Sequence, residues 1–159
     1  GPGYPAGENW MIRGPIDLSG MQAAHIEFSM FRDIEEDAEL VFCVSTSPEA
    51  TDLLNSIYGW FYGSTGEGLD EDGNIIKFWE RTGFDLGEYI GNSEVYIGWQ
   101  FQSASESTRE GVFVDEIELH ATNEEIVDPW NQIFFEPFDK GILCKTFRTD
   151  NGIMGSRIL

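Results

Sequence analysis

Carboxylates are the side chains of this sequence best suited to chemistry, since 29 acidic residues stand against 9 basic ones. The segment 70–74 reads Asp-Glu-Asp-Gly-Asn, and its alternate oxygen ligands resemble the start of a calcium loop. Gly73 is the fourth rather than the sixth residue of that loop, and Arg81 stands twelfth, where an EF-hand needs Glu. Asp70 and Asp72 are therefore candidate calcium ligands outside an EF-hand. The alternative is a hairpin turn, which an Asp-Gly step also favours.

Asp115 is a second candidate ligand because of its neighbours. Residues 111–120 alternate in hydropathy, and this pattern places Asp115 between Phe113 and Ile117 on the face predicted to point into the core. A carboxylate that faces a core needs a partner. That partner is either a cation, an arginine or a backbone turn that the carboxylate caps.

Aromatic residues give a different candidate site. Trp60, Tyr62 and Trp79, with Tyr58 and Phe61 nearby, are candidates for stacking against a glycan, because one side of a pyranose ring is apolar. Packing in the core would explain most of these residues equally well.

Catalytic patterns are weak, and we expect no enzyme. His25 and His120 fall in or at the end of predicted strands, and the sequence has no Gly-x-Ser-x-Gly elbow. The glycine-rich loop 63–68 lacks the lysine of a phosphate-binding loop. Any acidic chain offers pairs of carboxylates, so a glycosidase pair does not follow from the sequence.

The elements that must position these residues are predicted to be β-strands. After an irregular lead-in at 1–9, alternating or apolar runs predict strands at 10–12, 25–32, 39–46, 75–81, 94–102 and 111–120. Ser47 and Pro48 predict the start of one short helix over about 49–58. Two similar corners, Ile-Asp-Leu-Ser at 16–19 and Phe-Asp-Leu-Gly at 84–87, form a weak internal repeat. This order of elements indicates an all-β sandwich.

The segment 132–139 is an apolar strand candidate that follows an apparently complete β-domain. We divide the chain into a domain at 1–122 and an acidic connector with a C-terminal strand segment at 123–159. The apolar side chains of this segment must be covered by a sheet of the same chain or of a neighbour. They are the candidate self-association residues Ile133, Phe134, Phe135 and Phe138.

Global composition restricts the partners. A length of 159 residues suits one domain, and a formal net charge of −20 repels nucleic acid and anionic membranes. No apolar run approaches the ~20 residues that span a bilayer, so we expect no membrane insertion. Cys43 and Cys144 lie far apart, either as one disulfide or as two thiols.

Taken in order, several segments resemble a known extracellular family. They are 16–19, 39–47, Trp79 with 84–86, 95–101 and 111–117. Together they are similar to the jelly-roll modules called choice-of-anchor or immune-inhibitor-like, found in secreted microbial proteins and related in shape to MAM domains and carbohydrate-binding modules. The resemblance implies a jelly-roll β-sandwich that is non-catalytic, secreted or on the cell surface, and often stabilised by calcium. It also implies a calcium site that combines Asp115 with Glu136 and Asp139.

The chain departs from this family at its opening strand. That strand reads aromatic-Glu-x-Phe-Glu/Asp in the family, residues 1–9 lack it, and 135–139 match it at the far end of the chain. The chain is then circularly permuted, cut from a tandem array, or built to donate its tail to the next subunit. The leading hypothesis is a calcium-stabilised subunit that forms a filament or array by strand donation. The alternative is a carbohydrate-binding or adhesion module of a larger secreted protein.

Overall fold

The computed structural model describes residues 3–124 and, for the backbone, 142–148 and 157–158. Eleven strands are described, together with one helix, α1 (Ala50–Leu54), and a 3-10 turn at Gly87–Tyr89. The strands are β1 (Gly7–Ile16), β2 (Ala23–Asp33), β3 (Ala38–Ser45), β4 (Ile57–Tyr62), β5 (Glu67–Leu69), β6 (Ile75–Lys77), β7 (Glu80–Asp85), β8 (Val95–Ser103), β9 (Gly111–Thr122), β10 (Ile142–Arg148) and β11 (Arg157–Ile158). No helix among the described residues is long and apolar enough to cross a membrane.

Two antiparallel sheets form a sandwich, which confirms the predicted all-β class. One sheet has the strand order β1-β8-β3-β4, and the other has the order β11-β10-β9-β2-β7. A separate hairpin joins β5 to β6. The inner faces carry the alternating apolar residues of the sequence, so that Leu40, Phe42, Ile26 and Phe28 are completely buried. Trp99 lies between the sheets, with its ring 5.0 Å from Phe42 and 5.2 Å from Phe28.

The helix is shorter than predicted, since it ends at Leu54 and the next residues turn into β4. Ile57 pairs with Cys43 on β3, so the open edge of β3 captures residues whose spacing also suited a helix. Leu53 then covers Val41 and Cys43 on the outer face of the four-stranded sheet. Cys43 is buried and unbonded, and the predicted alternative of a disulfide to Cys144 is not formed.

The two repeated corners have the same structure. Asp17 accepts a hydrogen bond from the backbone N–H of Ser19, and Asp85 accepts one from the backbone N–H of Gly87. The leucine in each corner, Leu18 or Leu86, is completely buried. The lead-in is more regular than predicted, because β1 already begins at Gly7, where it pairs with Ser103 of β8.

The C-terminal part of the chain supplies the strand that lies beside β9 in the five-stranded sheet. In a jelly roll the first and last strands lie side by side. Here β9 is the last strand before the connector, and β10 runs antiparallel beside it, with Ile142 opposite Thr122 and Phe147 opposite Ile117. The predicted segment 132–139 lies outside the described residues, so the strand seen at this position is the one at 142–148.

A β-bulge in β9 overturns the prediction that Asp115 faces the core. Val114 and Ile117 are both buried, so two residues rather than one separate successive core positions. Glu116 has a φ of 50°, and the pairing register with β2 shifts at this point. The extra residue reverses the alternation, and Asp115 lies on the outer face instead.

Candidate functional site

The exposed aromatic residues of β4 form the first candidate site. Phe61 packs against the main core, so its strand neighbours Trp60 and Tyr62 face outward. Their side chains are 52% and 60% exposed, which is unusual for two large adjacent aromatic residues. Their rings are nearly parallel, with an angle of 10° between planes and 6.4 Å between centroids. We call this pair the aromatic platform.

Glu39 on the neighbouring strand fixes the aromatic platform. The indole Nε1–H of Trp60 donates to Oε2 of Glu39 over 2.8 Å, and Glu39 is also the register partner of Tyr62. Desolvation, followed by the charge of Glu39 and a hydrogen bond to it, raises the pKa of Tyr62. The phenol therefore stays neutral at physiological pH and can both donate and accept a hydrogen bond.

Polar side chains continue from the platform across the four-stranded sheet. The register runs from Glu39 to Gln102 on β8 and then to Glu8 on β1. Gln100, which is only 2% exposed, donates from Nε2 to Oε2 of Glu8 over 2.7 Å. Hydrogen-bonding groups therefore lie beside two apolar ring faces, an arrangement suited to a ligand that is apolar on one side and rich in hydroxyls at its edge.

Trp79, the third predicted stacking residue, lies elsewhere. It directly precedes β7 at the edge of the five-stranded sheet, and its ring is 6.0 Å from that of Phe31. With Ser29, Asp115 and Glu116 it lines a cavity of about 200 Å³. The structure therefore brings together two of the three predicted stacking residues.

Among the described residues, the predicted calcium ligands lie in two separate places. Asp70 lies in the turn of the β5–β6 hairpin, where its carboxylate accepts hydrogen bonds from the backbone N–H groups of Asp72 and Asn74. These bonds lower the pKa of Asp70, the one from Asn74 most strongly. The Asp-Gly segment is thus the hairpin turn that the sequence offered as an alternative, and the described contacts of Asp70 are all within that turn.

Asp115 is the remaining described ligand candidate, and its Oδ1 accepts a hydrogen bond of 2.7 Å from the N–H of Glu116. Its proposed partners Glu136 and Asp139 lie outside the described residues. So do the candidate self-association residues Ile133, Phe134, Phe135 and Phe138. The calcium site that joins these acids, and the role of the apolar segment, stay predictions.

Sequence reasoning missed a cluster of charged residues on the outer face of the five-stranded sheet. Glu27 on β2 lies opposite Glu118 on β9, and His25 lies opposite His120. One donor atom from each of Glu27, Glu118 and His120 lies within 4.8 Å of the others. Arg81 contacts both carboxylates, with Nη2 2.8 Å from Glu27 and 3.3 Å from Glu118. The mirrored patterns His-x-Glu and Glu-x-His were the available signal in the sequence.

Comparisons with known proteins show the fold. No protein family model matches the sequence, and no curated protein matches it. Among solved structures, the chain is similar to the crystal structure of a cleaved adhesin domain of Lys-gingipain from Porphyromonas gingivalis, with a TM-score of 0.51 and 15% sequence identity. The similarity covers 70% of this chain and 62% of that one, so the chain spans less than two thirds of the adhesin domain. This likeness shows that the chain has a β-sandwich fold of the kind found in that adhesin domain.

Proposed function

We propose that this chain is a non-catalytic adhesion module of a secreted or cell-surface protein, and that it binds carbohydrate through the aromatic platform. The observation that carries the proposal is the exposure of two nearly parallel rings, Trp60 and Tyr62, on one strand. Aromatic residues left in water at this scale are characteristic of binding surfaces. The fold similarity to an adhesin domain supports the same class of function.

The charge around the platform selects among glycans. Glu39 and Glu8 lie in the polar row beside the rings, and the whole chain carries a formal charge of −20. Sialylated or sulfated glycans would be repelled by these carboxylates. Neutral glycans would instead accept hydrogen bonds from the side-chain amide of Gln102. Their hydroxyl groups would donate hydrogen bonds to the carboxylates. We therefore expect neutral glycans to be the ligands.

A glycan array compares the wild-type protein with two matched tryptophan variants. Trp60→Ala should weaken binding by roughly tenfold to thirtyfold, because truncation of a central aromatic contact costs about 1.5–2 kcal/mol. Trp79→Ala should bind normally, since this similarly exposed tryptophan lies on the other sheet. Equal losses in both variants, or binding restricted to acidic glycans, would refute the proposal.

Self-association by strand donation is a second candidate function. It is favoured by one observation, the pairing of β10 with the outer edge of β9 through six residue pairs. The β9 edge therefore accepts a strand from the C-terminal part of a chain, and a second copy carries the same strand. Main-chain hydrogen bonds would give such a joint its affinity.

Truncation after Asn123 tests whether the strand beside β9 comes from the same chain or from a second copy. If strands are exchanged between copies, full-length protein should form oligomers in light scattering, and the truncated protein should be monomeric. Adding a peptide that spans 132–150 should then cap the truncated protein without making larger species. Full-length protein that stays monomeric at every concentration and with calcium would contradict strand donation.

A further inference from the structure

Both histidines of the chain lie in one small cluster, together with two glutamates. His25 and Glu27 on β2 face His120 and Glu118 on β9, so the four residues form a two-by-two grid on the outer face of the five-stranded sheet. Side chains directly opposite each other in antiparallel strands have Cβ atoms only about 4.5–5.5 Å apart. We call these four residues the His-Glu grid.

The β-bulge is what assembles the His-Glu grid. Without the extra residue, regular alternation from Val112 would turn Glu118 and His120 toward the core. The bulge instead directs Ile117 and Leu119 inward and puts Glu118 and His120 beside β2. It holds Glu116, a residue other than glycine, at a φ of 50°, which is an unfavourable conformation. Bulges and strained residues of this kind concentrate near functional sites.

The donor atoms of Glu27, Glu118 and His120 lie within 4.8 Å of one another, and His25 adjoins this set through Glu27. Nε2 of His25 lies 3.5 Å from Oε2 of Glu27, and Nε2 of His120 lies 3.1 Å from Oε2 of Glu118. Ligands around zinc at about 2.0–2.1 Å lie roughly 3.3 Å apart when the geometry is tetrahedral. Side-chain exposure is only 10% for His120 and 15% for Glu27, so water competes poorly for these two ligands.

Charge also favours a cation at this position. Glu27 and Glu118 are like charges in directly opposite positions, which is destabilising without compensation. Arg81 supplies one positive charge to both, and its Nε and Nη2 hold Oε1 of Glu27, which leaves Oε2 directed toward His25.

We propose that the His-Glu grid binds a divalent transition metal, with zinc as the best fit, through His25, Glu27, Glu118 and His120. Two imidazole nitrogens with two carboxylate oxygens suit zinc, nickel or cobalt. Calcium prefers six to eight oxygen ligands, so it fits the grid poorly. On binding, Arg81 releases Glu118 but keeps its two hydrogen bonds to Glu27, which orients that ligand from behind. The metal would tie β2 to β9.

The test uses the full chain, freed of metal by a chelator and then titrated with zinc. Because the sequence has only two histidines, the imidazole signals in a ¹⁵N NMR spectrum belong to this site alone. Both imidazoles should shift together and reach saturation at one zinc per chain. Substituting cobalt should give the intense visible absorption of a tetrahedral site. Zinc binding that leaves either imidazole unchanged, or no binding at millimolar zinc, would overturn the proposal.

Variants locate the ligands and separate this site from the aromatic platform. Glu118→Gln, at a side chain that is 36% exposed, should weaken zinc binding at least tenfold while the protein stays folded. Trp60→Ala should bind zinc normally, so failure of glycan binding and failure of zinc binding are independent results. Cys144 pairs with His120 in the register, and Cys144→Ser should keep its zinc. Loss of zinc in that variant would show that the four-residue site is wrong.

Discussion

At the residue scale, the environment of a side chain decides what it can do, and Cys43 shows this clearly. It lies on the outer face of the four-stranded sheet, where exposure would be expected, but Leu53 and Val41 bury it completely. Burial raises the pKa of its thiol to about 11. The thiolate is the nucleophilic form, so the residue should be inert in the folded protein.

We expect Cys43 to resist thiol reagents as long as the protein is folded. In a Cys144→Ser variant, Cys43 is the remaining thiol, and its reaction with a chromogenic disulfide at pH 8 should be slower than in denaturant by at least a hundredfold. The rate should rise with denaturant in parallel with unfolding measured by tryptophan fluorescence. Rapid labelling of the folded variant would show that the helix does not cover Cys43.

Residue-level predictions succeeded where alternation was sufficient and failed where position in the sheet mattered. For Trp60 and Tyr62 the sequence left an aromatic surface and core packing open, and the structure exposes both side chains on one face of β4. Trp79 is also an aromatic residue in a predicted strand. Its distance from Trp60 and Tyr62 depends on the order of the strands in the sheets, which local sequence does not encode. His25 and His120 fall in or at the end of predicted strands, but their position opposite each other depends on the register of β2 and β9, which local sequence does not encode.

At the element scale, the bulge in β9 is the feature with the largest consequences. A single extra residue sends Asp115 outward and brings Glu118 and His120 next to β2. Nothing in the sequence at 111–120 marks the bulge. A bulge residue with a positive φ is usually glycine, and here it is Glu116. The sequence also predicted a helix that reaches residue 58, whereas α1 ends at Leu54. Ile57 and Tyr58 belong instead to β4, which pairs with the edge of β3.

Replacing Glu116 tests the strain directly. Glu116→Gly should stabilise the protein by about 0.5–1 kcal/mol, because relief of the left-handed conformation outweighs the added chain entropy. Glu116→Val should destabilise it by about 1 kcal/mol or more, since a β-branched residue tolerates this φ poorly. As a control, Gln102→Gly in β8 should destabilise by about 0.5–1 kcal/mol. Urea denaturation measures all three, and a destabilised glycine variant at 116 would argue against the bulge.

At the scale of the whole molecule, the sequence predicted the fold class well. Alternating strands and the two aspartate corners pointed to a jelly-roll sandwich, although residues 1–9 lack the opening strand of the family that the sequence resembles. The strand described at the β9 edge is 142–148, and the prediction for the more apolar segment 132–139 stays untested because that segment lies outside the described residues. Hydropathy identifies segments that must be covered, but the chosen partner depends on connector length and register over long range.

The charge of −20 should make stability depend on salt. Screening reduces the repulsion among the 29 acidic residues, so the melting temperature should rise between 10 and 200 mM sodium chloride, by an amount that potassium chloride reproduces. Calcium chloride at the same ionic strength tests the proposed calcium site. A further rise with calcium that Asp115→Asn abolishes would support it, and identical curves for calcium and sodium would contradict it.

The central claim, carbohydrate binding by the aromatic platform, is tested most directly by NMR of the tryptophan indoles. The chain has five tryptophans, whose Nε1–H signals can be assigned by substitution. Titration with a neutral oligosaccharide that binds on the array should shift the signal of Trp60, whose N–H contacts Glu39, and leave that of Trp79 in place. Saturable binding that leaves Trp60 unchanged, or the absence of binding to any neutral glycan, would contradict the account.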